Sequence, residues 1–449
     1  MKIAEGLKDV SWPPSEGKQD GVFKLDRIKK ALKILGNPEK KIPFPIHIVG
    51  TNGKGSTISF LEAILKEASF KSHVYTSPNL IYLNERIKLA GNEISNEKLE
   101  EILNKTRELL AQENFEKEVS FFEGFTAASF LAFSEEKADF SLIEAGLGGR
   151  FDATNVMDSK LCILTSISFD HTEYLGETVK EIAEEKLAVE RKDVPFVVSF
   201  QPYKEVYDYA KNCIIYGKDF HITPNENGFE YSSKNSNFLL PKPSLAGYHQ
   251  YYNAGTAIKA CEILNEFYGF NITQEHIKNG VQKAIWRARL QKLHIQKFPN
   301  LEIFLDGAHN ENGVETLVSE INNTASNFVK NIVICGFLKR KDLTKIAPKI
   351  LNLNAEIYTT SIHSSQESKG ANELSQIFSE FGIKVQGFRE NFYEILQEIA
   401  NTNFQEIANK NLQEIAGETL QKIAGEKIRV VIFGSLYLAG EVLEWCEKQ

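Results

Sequence analysis

The chain of 449 residues is short of several things, and each shortage excludes a class of protein. Cysteine is scarce. Cys162, Cys213, Cys261, Cys335 and Cys446 are odd in number, widely spaced and form no CxxC, which speaks for reduced thiols and against a disulfide scaffold or a zinc site. No apolar run approaches the roughly 18–20 residues of a membrane-spanning helix; the stretch 194–200 has the length of a strand. The opening Met1-Lys2-Ile3-Ala4-Glu5-Gly6 lacks the apolar stretch and cleavage site of a secretory signal, so a cytoplasmic protein without membrane association is expected. Basic blocks are missing too. With a net charge of −8 and no lysine- or arginine-rich stripe, nothing suggests a nucleic-acid partner. Arginine is rare, 10 residues against 42 lysines, so each arginine raises the question of why it is not lysine.

What is present fits a globular chain. The 42% hydrophobic and 25% charged fractions exclude disorder and fibrous repeats, and the length suggests two or three domains of about 150 residues. From residue 44 to about 290, short β-branched runs (45–49, 73–76, 140–144, 161–167, 194–200) alternate with helical stretches (57–68, 96–111, 123–133, 179–191). This alternation predicts a parallel α/β sheet. A second series begins near 300, with strands expected at 301–305, 331–334, 356–360, 384–387 and 429–433, and 291–300 reads as the linker between the two. One segment is anomalous: Leu396-Gln-Glu-Ile-Ala400 recurs three times at a period of eight residues. That period carries the apolar pair round a helix by about 80° per repeat instead of keeping one face. A tandem insertion, partly helical and exposed, is expected there.

The clearest chemical signal is Pro45-Ile-His-Ile-Val-Gly-Thr-Asn-Gly-Lys-Gly-Ser-Thr57, a strand, a glycine-rich turn and a helix start. Gly50, Gly53 and Gly55 let backbone N–H groups face an anion at a helix N-terminus. Lys54 is placed to reach the β- and γ-phosphates, and the Ser56 hydroxyl to bind Mg²⁺. Only two residues separate Gly50 from Gly53, so this is a shortened Walker A loop. Without a GxGxxG, ATP is expected rather than a dinucleotide. Elsewhere Ser77 and Glu144 end strands at the carboxyl edge of the sheet, where α/β ligand sites form. Ser77 could instead open an ST-turn. A carboxylate at Glu144 suits a hard cation better than a core. His171 follows a strand. Lys186 sits in a highly charged helical stretch that reads as a solvated face, and Asn253 reads as a helix N-cap.

The variant loop resembles that of the Mur ligase superfamily, and specifically of the folylpolyglutamate synthase/dihydrofolate synthase family. Further matches follow in order: Phe23-Lys-Leu-Asp-Arg27, Thr76-Ser-Pro-Asn-Leu80, Glu85-Arg86, Ser120-Phe-Phe-Glu123, Glu144-Ala-Gly-Leu-Gly-Gly-Arg-Phe-Asp-Ala-Thr-Asn155, Asp170-His-Thr-Glu-Tyr-Leu-Gly176, Glu185-Lys186, His249-Gln-Tyr-Tyr-Asn253, Trp286-Arg-Ala-Arg289, Asp306-Gly-Ala-His-Asn310 and Gly434-Ser-Leu-Tyr-Leu438. The resemblance covers nearly the whole chain except the octapeptide repeat. It implies an α/β protein with an N-terminal P-loop ATPase domain, 1–292, and a smaller Rossmann-like ligase domain, 297–449, carrying the tandem insertion at about 396–425. It also implies an ATP-dependent ligase that adds L-glutamate to dihydropteroate, to reduced folates, or to both, through an acyl phosphate.

The same resemblance implies the site. Thr51, Asn52, Gly53, Lys54, Gly55, Ser56, Asn253, Arg289 and Asp306 would bind ATP. Ser56, Ser77 and Glu144 would hold one Mg²⁺; His171 and a Lys186 carbamylated by CO₂ would hold a second. Lys54, Lys186 and His309 would act in catalysis, with capping or packing the alternative for His309. Phe23, Lys24, Leu25, Asp26, Ser120, Phe121, Phe122, Glu123 and Phe151 would meet the pterin, the phenylalanines stacking on a flat ring or simply packing the core. A monomer with small-molecule substrates is expected. Departures stand out: Asn79 replaces a histidine, Leu187-Ala188-Val189 replaces Ala-Gly-Ile, Arg287-Ala288 replaces Pro-Gly, and Arg340 replaces an aspartate. Competing readings are a folate-chain extender only, a muramyl-type ligase, which the pterin motifs disfavour, and a degenerate nucleotide binder, which the intact Lys54, Ser56, Glu144, His171 and Lys186 disfavour.

Overall fold

The computed structural model of the chain describes Trp12 and residues 24–413 and 427–449. Phe23, and the octapeptide repeat beyond Gln413, lie outside the described residues. The chain divides into two compact units, Met1–Trp286 and Arg287–Gln449. No helix among the described residues is long and apolar enough to cross a membrane.

In the first unit, β1 (Pro45–Val49), β2 (Ser72–Tyr75), β3 (Ile87–Leu89), β4 (Asn92–Glu93), β5 (Phe140–Glu144), β6 (Leu161–Leu164), β7 (Phe196–Val198) and β8 (Ile214–Ile215) form one sheet in the order β4-β3-β2-β5-β1-β6-β7-β8. The stretch from β2 to β8 is parallel, and β3 and β4 extend it antiparallel. Every residue of β1 and β5 is buried, as a parallel strand covered on both faces requires. Side chains alternate between two cores. Val74 and Leu142 pack with the helices Lys54–Glu67 and His249–Tyr268, whereas Tyr75 and Ile143 pack with the helix Phe121–Glu135. Because β5 and β6 flank β1 on opposite sides, their carboxyl ends open a crevice around the turn that leaves β1.

Two features escaped the sequence reading. The strands β9 (Phe220–Asn225), β10 (Gly228–Ser233) and β11 (Asn237–Pro241) form a separate antiparallel sheet. The segment read as a linker opens instead with β12 (Gln291–Leu293), an antiparallel edge strand on β13 (Leu301–Leu305). The second unit's sheet runs β12-β13-β17-β14-β15-β16, with β14 (Lys330–Cys335), β15 (Glu356–Thr360), β16 (Val385–Arg389) and β17 (Ile428–Phe433), parallel except at β12. The first unit of the octapeptide repeat belongs to the helix Phe392–Gln413 and is packed rather than exposed: Leu396 and Ile399 are buried.

Candidate active site

The phosphate loop leaves β1 and enters the helix Lys54–Glu67 directly, three residues earlier than the apolar pattern suggested. It is pinned to the segment following β6. The Thr51 N–H donates to the Ser166 carbonyl at 2.8 Å, the Thr51 hydroxyl bonds to both the N–H and C=O of Ser168 at 3.1 Å, and Asn52 Nδ2 donates to Ser168 Oγ at 3.1 Å. Thr51 and Asn52, assigned to ATP from the sequence, therefore spend their side chains on scaffolding the loop. Gly53 has φ +89°, and a Cβ there would lie 2.6 Å from Asn253 Oδ1. Asn253 thus abuts the loop. It sits inside the helix His249–Tyr268, which removes the N-cap reading, and its Nδ2 donates to Gln250 Oε1 at 2.9 Å.

Lys54 Nζ folds back on the carbonyls of Gly50 and Thr51 at 3.1 and 3.2 Å and lies 3.6 Å from Glu144 Oε1. Glu144 is buried at the end of β5, and its Oε2 accepts the N–H of Ser77 at 3.3 Å. So Lys54, Ser77 and Glu144, separated by 23 and a further 67 positions, meet in one place. The Ser56 Oγ is buried with no hydrogen-bond partner among the described residues. An orphaned hydroxyl two residues after a lysine that meets a buried carboxylate fits a hard cation that takes oxygen ligands. No group of three or more His, Cys, Asp or Glu among the described residues is arranged to hold a metal, so hydroxyl and phosphate oxygens would have to complete the shell of any Mg²⁺ held here.

Lys186 is buried, not on a solvated face, and its Nζ donates to the Gly50 carbonyl at 2.9 Å. Burial first, and then repulsion from Lys54, lower its pKa to about 7, while Asp170 and Asp152 pull the other way. With a pKa near neutrality, a substantial share of the amine is uncharged, and the uncharged amine is the species that can add CO₂. His171 stands at the start of the short helix Thr172–Leu175 in a left-handed conformation, φ +52°, with its Nδ1 3.9 Å from Glu173 Oε1.

The residues assigned to a pterin divide by duty. Ser120 and Glu123 form a capping box: the Glu123 N–H donates to Ser120 Oγ at 3.3 Å, and the Ser120 N–H donates to Glu123 Oε2 at 2.8 Å. The Ser-x-x-Glu spacing was the signal for it. Glu123 also receives Arg27 Nε at 3.2 Å. Phe121 stacks on Phe125 beneath the Arg86 guanidinium, and Asn79, the departure from histidine, accepts from Arg86 Nε at 2.8 Å. Phe122 lies against Gly146, in the loop leaving Glu144. Phe151 is 46% exposed and free to meet a ligand. Lys24 and Asp26 are exposed beside the start of the helix Asp26–Ile34, and Leu25 is its N-cap.

Beneath the loop runs a buried chain that the sequence did not announce. His47 Nε2 meets Thr154 Oγ1 at 2.8 Å, Thr154 donates to Asp152 Oδ1 at 2.5 Å, and Asp152 Oδ2 accepts the Leu147 N–H at 2.8 Å. Burial, with Arg191 nearby, lowers the His47 pKa to about 3, so the ring is neutral.

In the second unit Asp306 follows β13 directly and is buried. Its Oδ2 accepts from the Leu290 N–H at 2.7 Å and its Oδ1 from the Ala308 N–H at 2.8 Å. Burial raises its pKa, against the pull of Arg289. His309 Nδ1 meets the Gly307 carbonyl at 2.7 Å, and the cap of the following helix is Asn310, not His309. Arg287 pairs with Glu447 at 2.7 Å, whereas Arg289 approaches Gly307. Arg340 is exposed, and Asp342 caps the helix Leu343–Ile350.

With this geometry in place, comparison with known proteins is decisive. The family model of the Mur ligase middle domain matches residues 48–261, and that of the dihydrofolate synthetase C-terminal domain matches residues 290–445. A dihydrofolate synthase/folylpolyglutamate synthase of Bacillus subtilis (strain 168) is 34% identical over 358 residues, 75% of this chain and 80% of the relative. The chain belongs to the dihydrofolate synthase/folylpolyglutamate synthase family. That family, within the Mur ligases, consists of ATP-dependent amide ligases. Two solved structures share the fold along 95% of both chains at 25% identity. One is a Mycobacterium tuberculosis folylpolyglutamate synthase complexed with ADP, TM-score 0.78. The other is a bifunctional folylpolyglutamate synthase/dihydrofolate synthase with Mn, AMPPNP and L-glutamate bound, TM-score 0.75.

Proposed function

We propose that this chain joins L-glutamate to dihydropteroate, and to reduced folates as well, at the expense of ATP. The observation that carries the reading is the Lys54–Glu144–Ser77 cluster with the orphaned Ser56 hydroxyl, set on a phosphate loop at the sheet's carboxyl edge. A free carboxylate is a poor acyl donor. Its oxygen attacks the γ-phosphorus, the bond to the β-γ bridging oxygen breaks, and ADP leaves. The glutamate nitrogen then attacks the acyl carbon, phosphate departs, and the amine gives up a proton. The loop N–H groups and Lys54 would neutralise the triphosphate, exchanging the carbonyls Lys54 now holds for phosphate oxygens. Ser56, Ser77 and Glu144 would hold one Mg²⁺, with His171 and Lys186 holding a second. Bound there, the ions would draw negative charge from the transferring phosphoryl group. The relative solved with Mn, AMPPNP and L-glutamate supports a divalent ion in the family.

For Lys186 to act as a metal ligand it must lose its positive charge. Its lowered pKa, about 7, supports a CO₂-derived carbamate, which would turn a buried cation into an anion facing the loop. Asn253 is assigned to the nucleotide base, Arg289 to the phosphates, Asp306 to the ribose and His309 to the reacting groups. Phe151 and Phe122, with Lys24 to Asp26, are assigned to the pterin. In this reading the first unit, Met1–Trp286, is the ATP-binding domain and the second, Arg287–Gln449, the glutamate-ligase domain, of a monomer working in the cytoplasm.

The test is ADP release by the purified chain with ATP, Mg²⁺, glutamate and either dihydropteroate or tetrahydrofolate. Turnover with both is expected. Turnover with tetrahydrofolate alone would leave a chain extender, and none with either would sink the ligase reading. Intact mass at neutral pH should carry one added CO₂, lost in Lys186→Ala.

A further inference from the structure

The third glycine of the phosphate loop has no local reason to be glycine. Gly55 is the second residue of the helix Lys54–Glu67, and its φ is not positive, so alanine would suit its backbone. What excludes a side chain is Trp286. Its indole lies where a Cβ on Gly55 would go, with Nε1 2.7 Å from that position. The same segment is fastened again one turn along the helix, where Ser59 Oγ donates to the Ile285 carbonyl at 2.8 Å. Trp286 is half-buried, packed against the core shared by this helix, while its neighbour Ile285 is 79% exposed. The chain is therefore not slack here. Immediately beyond it, Ala288 and Leu290 adopt left-handed φ values of +55° and +42°, which residues with a Cβ hold only when their surroundings impose them. Hydrogen bonds impose them: the Ala288 N–H donates to Gln291 Oε1 at 2.9 Å, and the Leu290 N–H donates to Asp306.

We propose that Trp286 is a positioning residue of the phosphate loop: its indole, braced against Gly55, holds the turn from Lys54 to Ser56 in the conformation that receives the nucleotide. The inference rests on the loop binding ATP. A flat, rigid ring can press on a backbone only where the backbone has no side chain, so Gly55 and Trp286 form a matched pair. This accounts for the extra glycine between the lysine and the hydroxyl, which in the standard loop are adjacent. Trp286 touches no reacting atom in this scheme; it acts through the loop.

The matched pair makes the proposal testable by rescue. ATP binding in the presence of Mg²⁺ is measured by calorimetry, and steady-state kinetics are followed, on the full chain and on Trp286→Phe, Trp286→Ala, Gly55→Ala and the double variant Gly55→Ala/Trp286→Ala. Misplacing a loop by an ångström costs about a hundredfold. Trp286→Ala should therefore lower kcat/KM for ATP by about that factor, with the KM for the pterin substrate unchanged and Trp286→Phe close to wild type. Gly55→Ala should lose ATP binding, and the double variant should recover part of it, because the clash is gone. A double variant that binds no better than Gly55→Ala, or a Trp286→Ala that binds ATP like wild type, overturns the proposal. Should Trp286→Ala fail to fold, the emission of Trp286 in a Trp12→Phe/Trp445→Phe background decides: it must change when AMPPNP and Mg²⁺ are added, and constancy overturns the proposal. A wild-type chain that binds no ATP overturns the ligase reading and takes this inference with it; unimpaired ATP binding by Trp286→Ala leaves the ligase reading intact.

Discussion

The turn after β1 and the turn after β13 are built alike and used differently. Both follow a strand, pass a glycine and enter a helix, and both carry a lysine, aspartate or histidine at the bend. In the second, the polar groups named already have partners in the fold: Asp306 accepts from two backbone N–H groups, His309 meets one carbonyl, and Asn310 caps its helix. In the first, Ser56 Oγ and Thr57 Oγ1 are buried without a hydrogen-bond partner among the described residues, and Lys54 holds two carbonyls of its own loop beside the Glu144 carboxylate. A protein leaves a buried hydroxyl unsatisfied at a cost of about 1–3 kcal/mol. Two adjacent ones in the first turn of the helix, next to the Lys54–Glu144 pair, fit a place completed by a ligand.

That contrast can be broken, and the largest effect is expected at Lys54. Lys54→Met should lower kcat by about 10²–10³-fold, the range for removing a group aimed at transition-state charge. It should also raise the pKa of Lys186, since repulsion from Lys54 is the second cause of its depression, and so reduce the CO₂ adduct seen in intact mass at neutral pH. Next comes Ser56→Ala. Mg²⁺ affinity in the presence of ATP should fall about 10–100-fold, while the melting temperature of the ligand-free chain holds or rises, because the mutation removes an unsatisfied group. A melting temperature that drops by several degrees would show that Ser56 is spent after all.

Asp306 sharpens the other side of the comparison. Asp306→Ala should cost about 1–3 kcal/mol for each N–H left without an acceptor, read by denaturant titration of the full chain. ATP affinity that falls while stability stays constant would instead assign Asp306 to the ribose alone. The smallest effect belongs to His47. With its folded pKa lowered to about 3, the native ring stays neutral while the unfolded chain takes up a proton below about 6.5. Its contribution to stability is thus complete above that pH and is lost progressively as pH falls toward 3. His47→Gln should flatten the stability-pH profile in that window; an unchanged slope would locate the acid sensitivity elsewhere.

Much of this was legible because burial writes itself as apolar runs. The bounds of β1, β5, β13 and β15 follow from the sequence residue for residue, and so did the phosphate loop. The antiparallel strands β9 to β11 were not legible. β9 alternates buried and exposed residues, with His221 and Thr223 outward and a proline within, and so presents no continuous run. The linker reading failed because Gln291–Leu293 is a short edge strand with one buried residue. In the site, the mutual capping of Ser120 and Glu123 was overlooked, although their Ser-x-x-Glu spacing carries it. Trp286 looked like a motif letter because its contact with Gly55 spans 231 positions. Contacts of that separation are set by packing, not by local pattern.

The most direct test of the central claim, that this loop activates a carboxylate through an acyl phosphate, follows one atom. Dihydropteroate carrying heavy oxygen in its carboxylate is turned over with ATP, Mg²⁺ and glutamate, and the phosphate released is analysed by mass. One heavy oxygen in the phosphate and none in ADP is the expected result; unlabelled phosphate, with the amide formed, would contradict the account.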